Sequence, residues 1–385
     1  MIDIDTQVLL CNLRETHCAE YQRFQADYLM QHRNGSIPLG MQQEEFILSR
    51  MAALLAACAR TFREKDIARR VCKVAQLFCK ERCAALKKKR YPTGFEQLDE
   101  ALDGGFVAGV HYIGAISSLG KSTLALQMAD QMAANNIPVV YMSLEMSRED
   151  ITAKLVSMHT FADVGGRFAK TATELTGSQL DKFSDADWAA VGEAVSALTS
   201  HRANITICDA CVHGMSVDDI SNYMQEYIKA YDVAPVLIID YLQILKASKG
   251  MERYTDKQAV DHNVAEFRTL AATYNVPVIV ISAFNRESYD SQVSLKSYKD
   301  SGNIEYSSDT LIGLQLQGAG SPGFDAIAAK VAYPRKVELV ILKQRYGSSS
   351  AKIGYDFYTK YNYFEEQKQG NCGNRSSGYK SRYVY

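Results

Sequence analysis

The stretch at residues 110–123, VHYIGAISSLGKST, constrains the fold of this chain more than any other. It reads as a short apolar strand over 110–114, then a loop of small residues, then a helix that starts at once. Strand, glycine-containing loop and helix in this order is the context in which the pattern G-x-x-x-x-G-K-[ST] indicates a phosphate-binding loop. The first glycine of that pattern is Ala115 here, so the match is inexact. A polar strand-to-helix turn is the alternative.

In a phosphate loop, successive backbone N–H groups and the N-terminus of a helix surround a phosphate. We expect Lys121 to reach the β- and γ-phosphates and the Ser122 hydroxyl to bind Mg²⁺. A phosphate loop by itself indicates only that the ligand is a nucleotide. The candidate nucleotide-binding residues are Ala115, Ser117, Ser118, Leu119, Gly120, Lys121, Ser122 and Thr123.

Length and composition exclude several classes of protein. At 385 residues, one large domain and a smaller one is the natural division. Hydrophobic residues make up 47% and charged residues 23%, which is ordinary for a soluble protein. The net charge of −1 creates no overall electrostatic attraction for nucleic acid, so any binding of nucleic acid must use local basic loops.

The sequence also predicts a cytoplasmic protein without a membrane contact. The nine cysteines lack the spacing of a disulfide framework. The N-terminus has acidic residues where a signal peptide needs basic ones. No run approaches the ~18 apolar residues of a membrane span.

We expect three regions. Residues 1–88 form a helical N-terminal region of uncertain role, in which 43–63 has apolar residues at helical spacing. Residues 89–366 form the main domain. Residues 367–385 are polar and rich in Gly and Ser, which is typical of a disordered tail.

Strand and helix patterns alternate between residues 110 and 345. This alternation predicts an α/β fold, a mostly parallel sheet flanked by helices. Ligands of such sheets lie beyond the carboxyl ends of the strands, where we expect the candidate site residues. The expected strands are 110–114, 138–144, 204–208, 235–240, 277–283, 310–317 and 337–343, and the expected helices are 121–134, 147–159, 186–199, 216–230 and 258–274.

Two carboxylates follow apolar strands. Asp240 ends PVLIID, and a carboxylate there can bind Mg²⁺ beside Ser122, usually through water. A strand-ending Asp that caps a turn is the alternative. Glu145 follows YMSL, and a carboxylate near a γ-phosphate can polarise an attacking water. An exposed Glu after a strand is routine as well, so this role remains open.

Two cations lie close together near the end of the main domain. Lys343 and Arg345 are two residues apart in VELVILKQRYG, so a strand would direct both side chains the same way. A cation brought to a neighbouring subunit's γ-phosphate would stabilise charge in the transition state, as an arginine finger does. That role requires a heterologous interface that closes into a ring. A solvated strand edge is the alternative.

Seven blocks, in this order over about residues 91–366, together resemble the RecA-fold ATPase domain of DnaB-type replicative DNA helicases. The blocks are GFEQLDEALDGG, AISSLGKST, SLEMS, LIIDYLQIL, VPVIVIS-x-x-NR, KDSGNIEYSSD and VELVILKQRYG. The wording of AISSLGK and KDSGNIEYSSD is similar to DnaB-like proteins of phages and mobile elements. The resemblance implies a RecA-like fold and a hexameric ring that hydrolyses ATP with Mg²⁺ and translocates on single-stranded DNA.

The resemblance also implies roles for the residues at matching positions. Lys121 and Ser122 would bind phosphate and Mg²⁺. Glu145 would be the catalytic base, and Asp240 would be the acidic partner of the metal ion. Lys343 and Arg345 would act on the nucleotide of a neighbouring subunit.

Two basic segments are candidates for DNA binding. The first matches the family's loop that presents backbone and a basic side chain to DNA phosphates, and it consists of Lys299, Asp300, Ser301 and Gly302. A loop with lysines and a glycine can approach a phosphate closely. The second segment follows the Asp240 strand and includes Lys249 and Arg253. It would be another loop facing the pore, with an exposed surface loop as the alternative.

The chain departs from the family pattern at Ala283, where the family usually has a glutamine that senses the γ-phosphate. The coupling of nucleotide to DNA is therefore open, with Ser282 and Asn285 as candidate substitutes. Ser117 replaces a usual proline and Tyr346 a usual asparagine, and neither change removes a charge.

The leading interpretation is an ATP-dependent helicase of the DnaB type that acts in replication as a homo-hexamer. A primase or a helicase loader would be a further partner, although residues 1–88 do not match the family's N-terminal domain. The alternative is a RecA-fold recombination or repair ATPase that remodels DNA without processive unwinding, which Ala283 favours. A third interpretation is a non-enzymatic adaptor that binds nucleotide and assembles with a helicase.

Overall fold

The structure is a computed structural model. It describes residues 18–33, 47, 50, 89–178, 180–210, 214–246, 248, 255–284, 291–298, 301–345 and 351–368. The chain divides into two compact units, residues 1–88 and 89–385. In the first unit a helix covers Cys18–Arg33 (α1). Most of the helix expected over 43–63 and nearly all of the expected tail lie outside the described residues.

The second unit is built on one sheet, in which nine strands are described in the order β3-β2-β4-β5-β1-β6-β7-β8-β9. The strands from β3 to β6 in this order pair in parallel, and the pairs β6–β7, β7–β8 and β8–β9 are antiparallel. The strands are β1 Gly109–Ala115, β2 Val139–Ser143, β3 Ile205–Asp209, β4 Val236–Asp240, β5 Pro277–Ala283, β6 Thr310–Leu316, β7 Arg335–Gln344, β8 Lys352–Tyr358 and β9 Tyr363–Glu366.

Helices flank this sheet. The described helices of the second unit are α2 Glu96–Ala101, α3 Lys121–Ala134, α4 Arg148–His159, α5 Ala172–Thr176, α6 Asp185–Ser200, α7 Val217–Tyr231, α8 Asp256–Tyr274, α9 Ser301–Ser307 and α10 Ala326–Val331. No helix within the described part of the chain is long and apolar enough to cross a membrane.

The predicted RecA-like α/β fold, a mostly parallel sheet flanked by helices, is confirmed. All seven expected strands and all five expected helices are present, each within two residues of its expected ends. The central strands β2, β4 and β5 are buried along almost their whole length, which explains their continuous apolar runs. The sequence interpretation missed β8, β9 and the short helices α2, α5, α9 and α10.

The β8–β9 hairpin packs against Gly120, the residue that precedes α3. The rings of Phe357 and Phe364 stack with centroids 4.1 Å apart. The side chain of Gln127 on α3 donates to the Phe364 carbonyl at 2.9 Å and accepts from its N–H at 2.8 Å. Gly120 lies against both rings, since a Cβ added there would come 2.7 Å from a Phe357 ring carbon.

A buried ionic network joins α3, α4 and the end of α6. The Asp130 carboxylate pairs with His159 Nε2 at 2.9 Å and with His201 Nε2 at 2.6 Å. His159 Nδ1 lies 2.6 Å from Asp163. Burial alone would lower the pKa of His159, but its hydrogen bonds to Asp130 and Asp163 outweigh burial and raise it to about 9. Burial alone would raise the pKa of Asp130, but the two histidines lower it to about 2.

Gly120→Ala should destabilise the second unit for two separate reasons. The backbone at Gly120 has φ +94°, a left-handed conformation that costs a residue with a side chain about 1–2 kcal/mol. The new methyl group would also overlap the Phe357 and Phe364 rings, at a further cost of about 1–3 kcal/mol. Urea denaturation followed by circular dichroism measures the total loss.

Gly323→Ala is the matched control for this substitution. Gly323 has φ +76°, but no atom lies within 4 Å of a Cβ added there. It should therefore show only the backbone cost of about 1–2 kcal/mol. Equal losses for the two variants would show that the aromatic contact does not constrain the loop.

His159→Gln should change how stability depends on pH. The pKa of His159 is raised in the folded chain, so its contribution is complete below about pH 6.5, the unfolded value. The contribution is lost as pH rises from there through about 9. Thermal midpoints measured from pH 6 to 10 should fall less steeply in the variant than in the wild type. An unchanged slope in the variant would contradict the assignment.

Candidate functional site

The loop between β1 and α3, residues 116–120, has the backbone conformation of an anion-binding nest. Ser118 has φ +65° and Gly120 has φ +94°, and both lie in the left-handed region. Such alternation directs successive N–H groups toward one point, where an anion can accept them. Helix α3 begins directly at Lys121, so its N-terminal N–H groups and the positive end of its dipole face the same region. We call residues 115–122 the phosphate loop.

Lys121 folds back over this loop. Its ammonium donates a hydrogen bond to the Ile116 carbonyl at 3.2 Å. Burial lowers the pKa of Lys121, whereas the charges of Asp240 and Glu145 act in the opposite direction. The side chain is therefore held above the loop within the field of both candidate carboxylates.

Ser122 and Asp240 lie in direct contact. The Ser122 hydroxyl donates to Asp240 Oδ1 at 3.1 Å, and the Tyr141 hydroxyl donates to Asp240 Oδ2 at 2.8 Å. Asp240 is 1% exposed, and burial raises its pKa while these hydrogen bonds oppose the rise. A hydroxyl and a carboxylate are the hard oxygen donors that Mg²⁺ prefers, so this pair fits such an ion.

Glu145 lies two residues beyond β2, in a turn at the same edge of the sheet, and its side chain is exposed. The turn is fixed by the Ser143 hydroxyl, which donates to the Met146 carbonyl at 2.6 Å and accepts from the Met146 N–H at 3.1 Å. Helix α4 then begins after Ser147, whose hydroxyl accepts from the Asp150 N–H. The end of β2 is next to the end of β4, since Ser143 pairs with Asp240.

The end of β5 completes this edge. The Ser282 hydroxyl is buried and accepts a hydrogen bond from the Gln243 side chain at 2.9 Å. The Ala283 N–H donates to the same side chain at 3.2 Å. Gln243 thus contacts the backbone of Ala283, the residue at which the family usually has a glutamine. Asn285, the other candidate substitute, lies outside the described residues.

Lys343 and Arg345 lie at the opposite edge of the sheet, so the expectation that all site residues collect at one edge is wrong for them. Strand β7 runs antiparallel to β6, and its start is at the phosphate-loop edge. The seven-residue strand β6 alone spans about 20 Å. These two cations, the cation pair, are therefore too far to reach the phosphate loop of their own chain.

Both members of the cation pair are anchored within their own chain. The Lys343 ammonium donates to the carbonyls of Glu305 and Ser308. Arg345 forms an ion pair with Asp309 at 3.1 Å and remains 39% exposed. Burial lowers the pKa of Lys343, and the neighbouring Arg345 lowers it further.

Most of the candidate DNA-binding residues cannot be placed. Lys249, Arg253, Lys299 and Asp300 lie outside the described residues, as does Tyr346. Ser301 and Gly302 form the first turn of α9, so this half of the expected KDSG loop is helical.

The structure adds three polar residues that sequence reasoning missed. Tyr141 holds Asp240, Gln243 holds the end of β5, and Arg335 donates from its Nη1 to the Ser118 carbonyl at 2.8 Å. A tyrosine inside the apolar run VVYMS was a usable signal, because a buried phenol needs a hydrogen-bond partner. The contact of Arg335 joins residues 217 positions apart and has no local signature.

Comparison with known proteins places the chain in a family. The family model described as the DnaB-like helicase C-terminal domain matches residues 91–366. Replicative DNA helicase DnaB of Leifsonia xyli subsp. xyli is 30% identical over 239 residues, 59% of this chain and 47% of that protein. A probable plasmid replicative DNA helicase of Chlamydia trachomatis is 25% identical over 271 residues, 68% of this chain and 52% of that protein. The chain thus spans about half the length of the curated relatives it matches.

Solved structures support the same fold. The ATPase domain of G40P is 22% identical, with a TM-score of 0.63, over 77% of this chain and 98% of that one. A DnaB-like replicative helicase, described with its interactions with primase, is 22% identical with a TM-score of 0.62, over 84% of this chain and 76% of that one. Since the family match covers well over half of its length, the chain belongs to the DnaB-like helicase C-terminal domain family.

Proposed function

We propose that this chain is an ATP-dependent DNA helicase that translocates on single-stranded DNA as a homo-hexameric ring and unwinds duplex DNA during replication. One observation carries the proposal: the phosphate loop and the candidate carboxylates lie at one edge of the sheet, and the cation pair lies at the other. A complete site therefore needs two copies of the chain in a head-to-tail arrangement, which forms a ring when the rotation between copies closes. The names of the relatives, replicative DNA helicases, support this function.

The phosphate loop would bind the triphosphate of ATP. Backbone N–H groups of the nest and of the first turn of α3 would donate to the phosphate oxygens. Lys121 would exchange its hydrogen bond with the Ile116 carbonyl for one to the β- and γ-phosphates. This exchange favours the charged form of Lys121, because the phosphates supply the partner that compensates for its burial.

Ser122 and Asp240 would hold Mg²⁺, with Asp240 acting directly or through water. The bound ion would neutralise charge on the phosphates during transfer. Tyr141 keeps the Asp240 carboxylate in place by donating to the oxygen that Ser122 does not contact. Asp240 therefore stays oriented toward the phosphate loop.

Glu145 would accept a proton from the attacking water. Its exposed carboxylate lies at the phosphate-loop edge and interacts electrostatically with Lys121 and Asp240. A base in this role must be within hydrogen-bond reach of the water, directly or through another water. The turn fixed by Ser143 and Met146 provides the support for that position.

The cation pair would complete the site of the adjoining copy. Lys343 and Arg345 would stabilise negative charge that develops on the neighbour's γ-phosphate. Their anchoring to Ser308 and Asp309 restricts both side chains before any neighbour arrives. Such preorganisation lowers the cost of forming the complete site.

DNA would be bound by two basic segments, of which one contains Lys299, Asp300, Ser301 and Gly302 and the other contains Lys249 and Arg253. With a net charge of −1, the chain has no general attraction for DNA, so these local cations must provide it. Such binding should weaken steeply with salt. A primase or a loader would be a further partner, and replicating DNA in the cytoplasm would be the site of action.

Strand displacement on forked DNA tests the function. The chain should separate a labelled fork when ATP and Mg²⁺ are present, and light scattering should show a ring-sized particle. ATP-dependent filaments on DNA without displacement would instead support the recombination ATPase. No ATP hydrolysis under any condition would support the adaptor.

Glu145→Gln should retain ATP binding and lose ATP turnover by about 10²–10⁴-fold, because the amide cannot accept the proton. Equilibrium binding of a fluorescent ATP analogue and steady-state phosphate release measure the two effects separately. Glu149→Gln, an exposed carboxylate in the first turn of α4, is the matched control and should retain turnover. Normal turnover in Glu145→Gln would remove Glu145 from this role.

Arg345→Ala and Lys121→Ala should each be inactive alone and regain activity when mixed. A Lys121→Ala copy has an intact cation pair, and an Arg345→Ala copy has an intact phosphate loop. Random rings at equal ratio should have about a quarter of their interfaces complete. Phosphate release during titration of one variant into the other measures this recovery.

Mixing Lys121→Ala with Glu145→Gln is the control for this experiment, because both substitutions damage the phosphate-loop edge. In this mixture every interface that has an intact Lys121 lacks Glu145, so activity should stay low. Absence of recovery in the first mixture, while labelled subunits demonstrably exchange between rings, would contradict a site shared by two copies.

A further inference from the structure

Arg335, the first residue of β7, connects two backbone segments at the phosphate-loop edge. Its Nη1 donates to the Ser118 carbonyl at 2.8 Å, and its Nε donates to the Lys330 carbonyl at 2.7 Å. The planar guanidinium holds these donors in a fixed relation. The Ser118 carbonyl is therefore tied to the point where β7 begins.

This bond determines the direction of the next N–H group in the loop. In a planar trans peptide the carbonyl and the following N–H point in opposite directions. When the Ser118 carbonyl points to Arg335, the Leu119 N–H must point away from Arg335. Ser118 has φ +65°, a conformation that residues with side chains rarely adopt, and the hydrogen bond from Arg335 holds the Ser118 carbonyl in this geometry.

Arg335 is itself well supported. It is the register partner of Phe357 on β8, and its guanidinium lies 5.9 Å from the centre of the Phe357 ring. Its second acceptor, Lys330, is in α10, whose first turn is capped by the Asp325 carboxylate at 3.0 and 2.9 Å. The guanidinium is thus placed by a sheet and a capped helix.

We propose that Arg335 is a positioning residue of the phosphate loop, which fixes the Ser118–Leu119 peptide so that the Leu119 N–H faces the bound phosphates. This inference rests on the proposed nucleotide binding and adds a residue of the same chain to it. The cation pair at the far end of β7 would serve the neighbouring copy, whereas Arg335 at the near end serves its own.

A positioning role has a signature that a direct phosphate contact does not share. The loop should bind the phosphates that ATP and ADP have in common, so loss of Arg335 should weaken the binding of both nucleotides by a similar factor. A cation touching the γ-phosphate would weaken ATP alone. Turnover at saturating ATP should fall less than affinity, because Arg335 does not contact the reacting atoms.

The test compares four variants of the full chain: Arg335→Ala, Arg335→Lys, Lys336→Ala and Lys121→Ala. Lys336 is the exposed next residue of β7 and is the matched control. Equilibrium dissociation constants of fluorescent ATP and ADP analogues, kcat and KM for ATP, and thermal midpoints are measured for each. Losing one hydrogen bond that orders the loop should weaken binding by about 5- to 30-fold in Arg335→Ala.

Arg335→Lys should recover part of this loss, because an ammonium can reach one of the two carbonyls but cannot hold both in the fixed geometry of a guanidinium. Lys336→Ala should bind both nucleotides as the wild type does. Support for the proposal is a matched loss for ATP and ADP in Arg335→Ala, a KM effect larger than the kcat effect, and partial recovery in Arg335→Lys.

Three results would overturn the assignment of Arg335. These are nucleotide affinity within twofold of wild type in Arg335→Ala, a loss confined to ATP, and an equal loss in Lys336→Ala. If Arg335→Ala does not fold, the same comparison is made with Arg335→Lys: a similar loss of ATP and ADP affinity supports the proposal, and a loss confined to ATP overturns it. In each case weak binding by Lys121→Ala shows that the proposed nucleotide site stands, and wild-type binding by Lys121→Ala would reject the proposed function instead.

Discussion

The carboxylate of Asp240 is buried at the end of β4, and two hydroxyl groups donate to it, one from α3 and one from β2. A buried carboxylate without partners is costly, so these bonds are a condition for placing it there. Through Ser122 the bond reaches the first turn of α3, and through Tyr141 it reaches the middle of β2. One side chain therefore fixes the phosphate loop, the central sheet and the strand that leads to Glu145 relative to one another.

Strand direction then decides which groups can belong to one site. The parallel strands β1, β2, β4 and β5 bring their carboxyl ends to one edge, and the polar residues that follow them meet there. The reversal at β7 sends its last residues to the other edge. The same reversal makes the first residue of β7, Arg335, a neighbour of the phosphate loop. Strand β7 thus brings Arg335 to the phosphate-loop edge and Lys343 to the opposite edge.

The sequence was sufficient for the features that depend on local pattern. The central strands show continuous apolar runs because both faces of the sheet are covered, and the phosphate loop shows its Gly-Lys-Ser at a helix start. The sequence alone was insufficient to predict features that depend on strand direction or on contacts between distant residues. Nothing local in VELVILKQR distinguishes a parallel from an antiparallel strand, so the edge occupied by Lys343 and Arg345 could not be derived. The family resemblance predicts a loop for the KDSG segment, yet Ser301 and Gly302 begin α9.

At Ala283, where the chain differs from the family pattern, the backbone N–H donates to the Gln243 side chain. The Gln243 side chain starts from the turn after β4 and uses both ends of its amide on the end of β5. It therefore ties the segment that follows Asp240 to the segment that follows Ser282, two strands that are already neighbours in the sheet. Because the amide N–H and the amide oxygen of Gln243 both form hydrogen bonds to β5, the side chain is held in one orientation. The methyl group of Ala283 can make no hydrogen bond, so at this position the ends of β4 and β5 are joined through the Gln243 side chain.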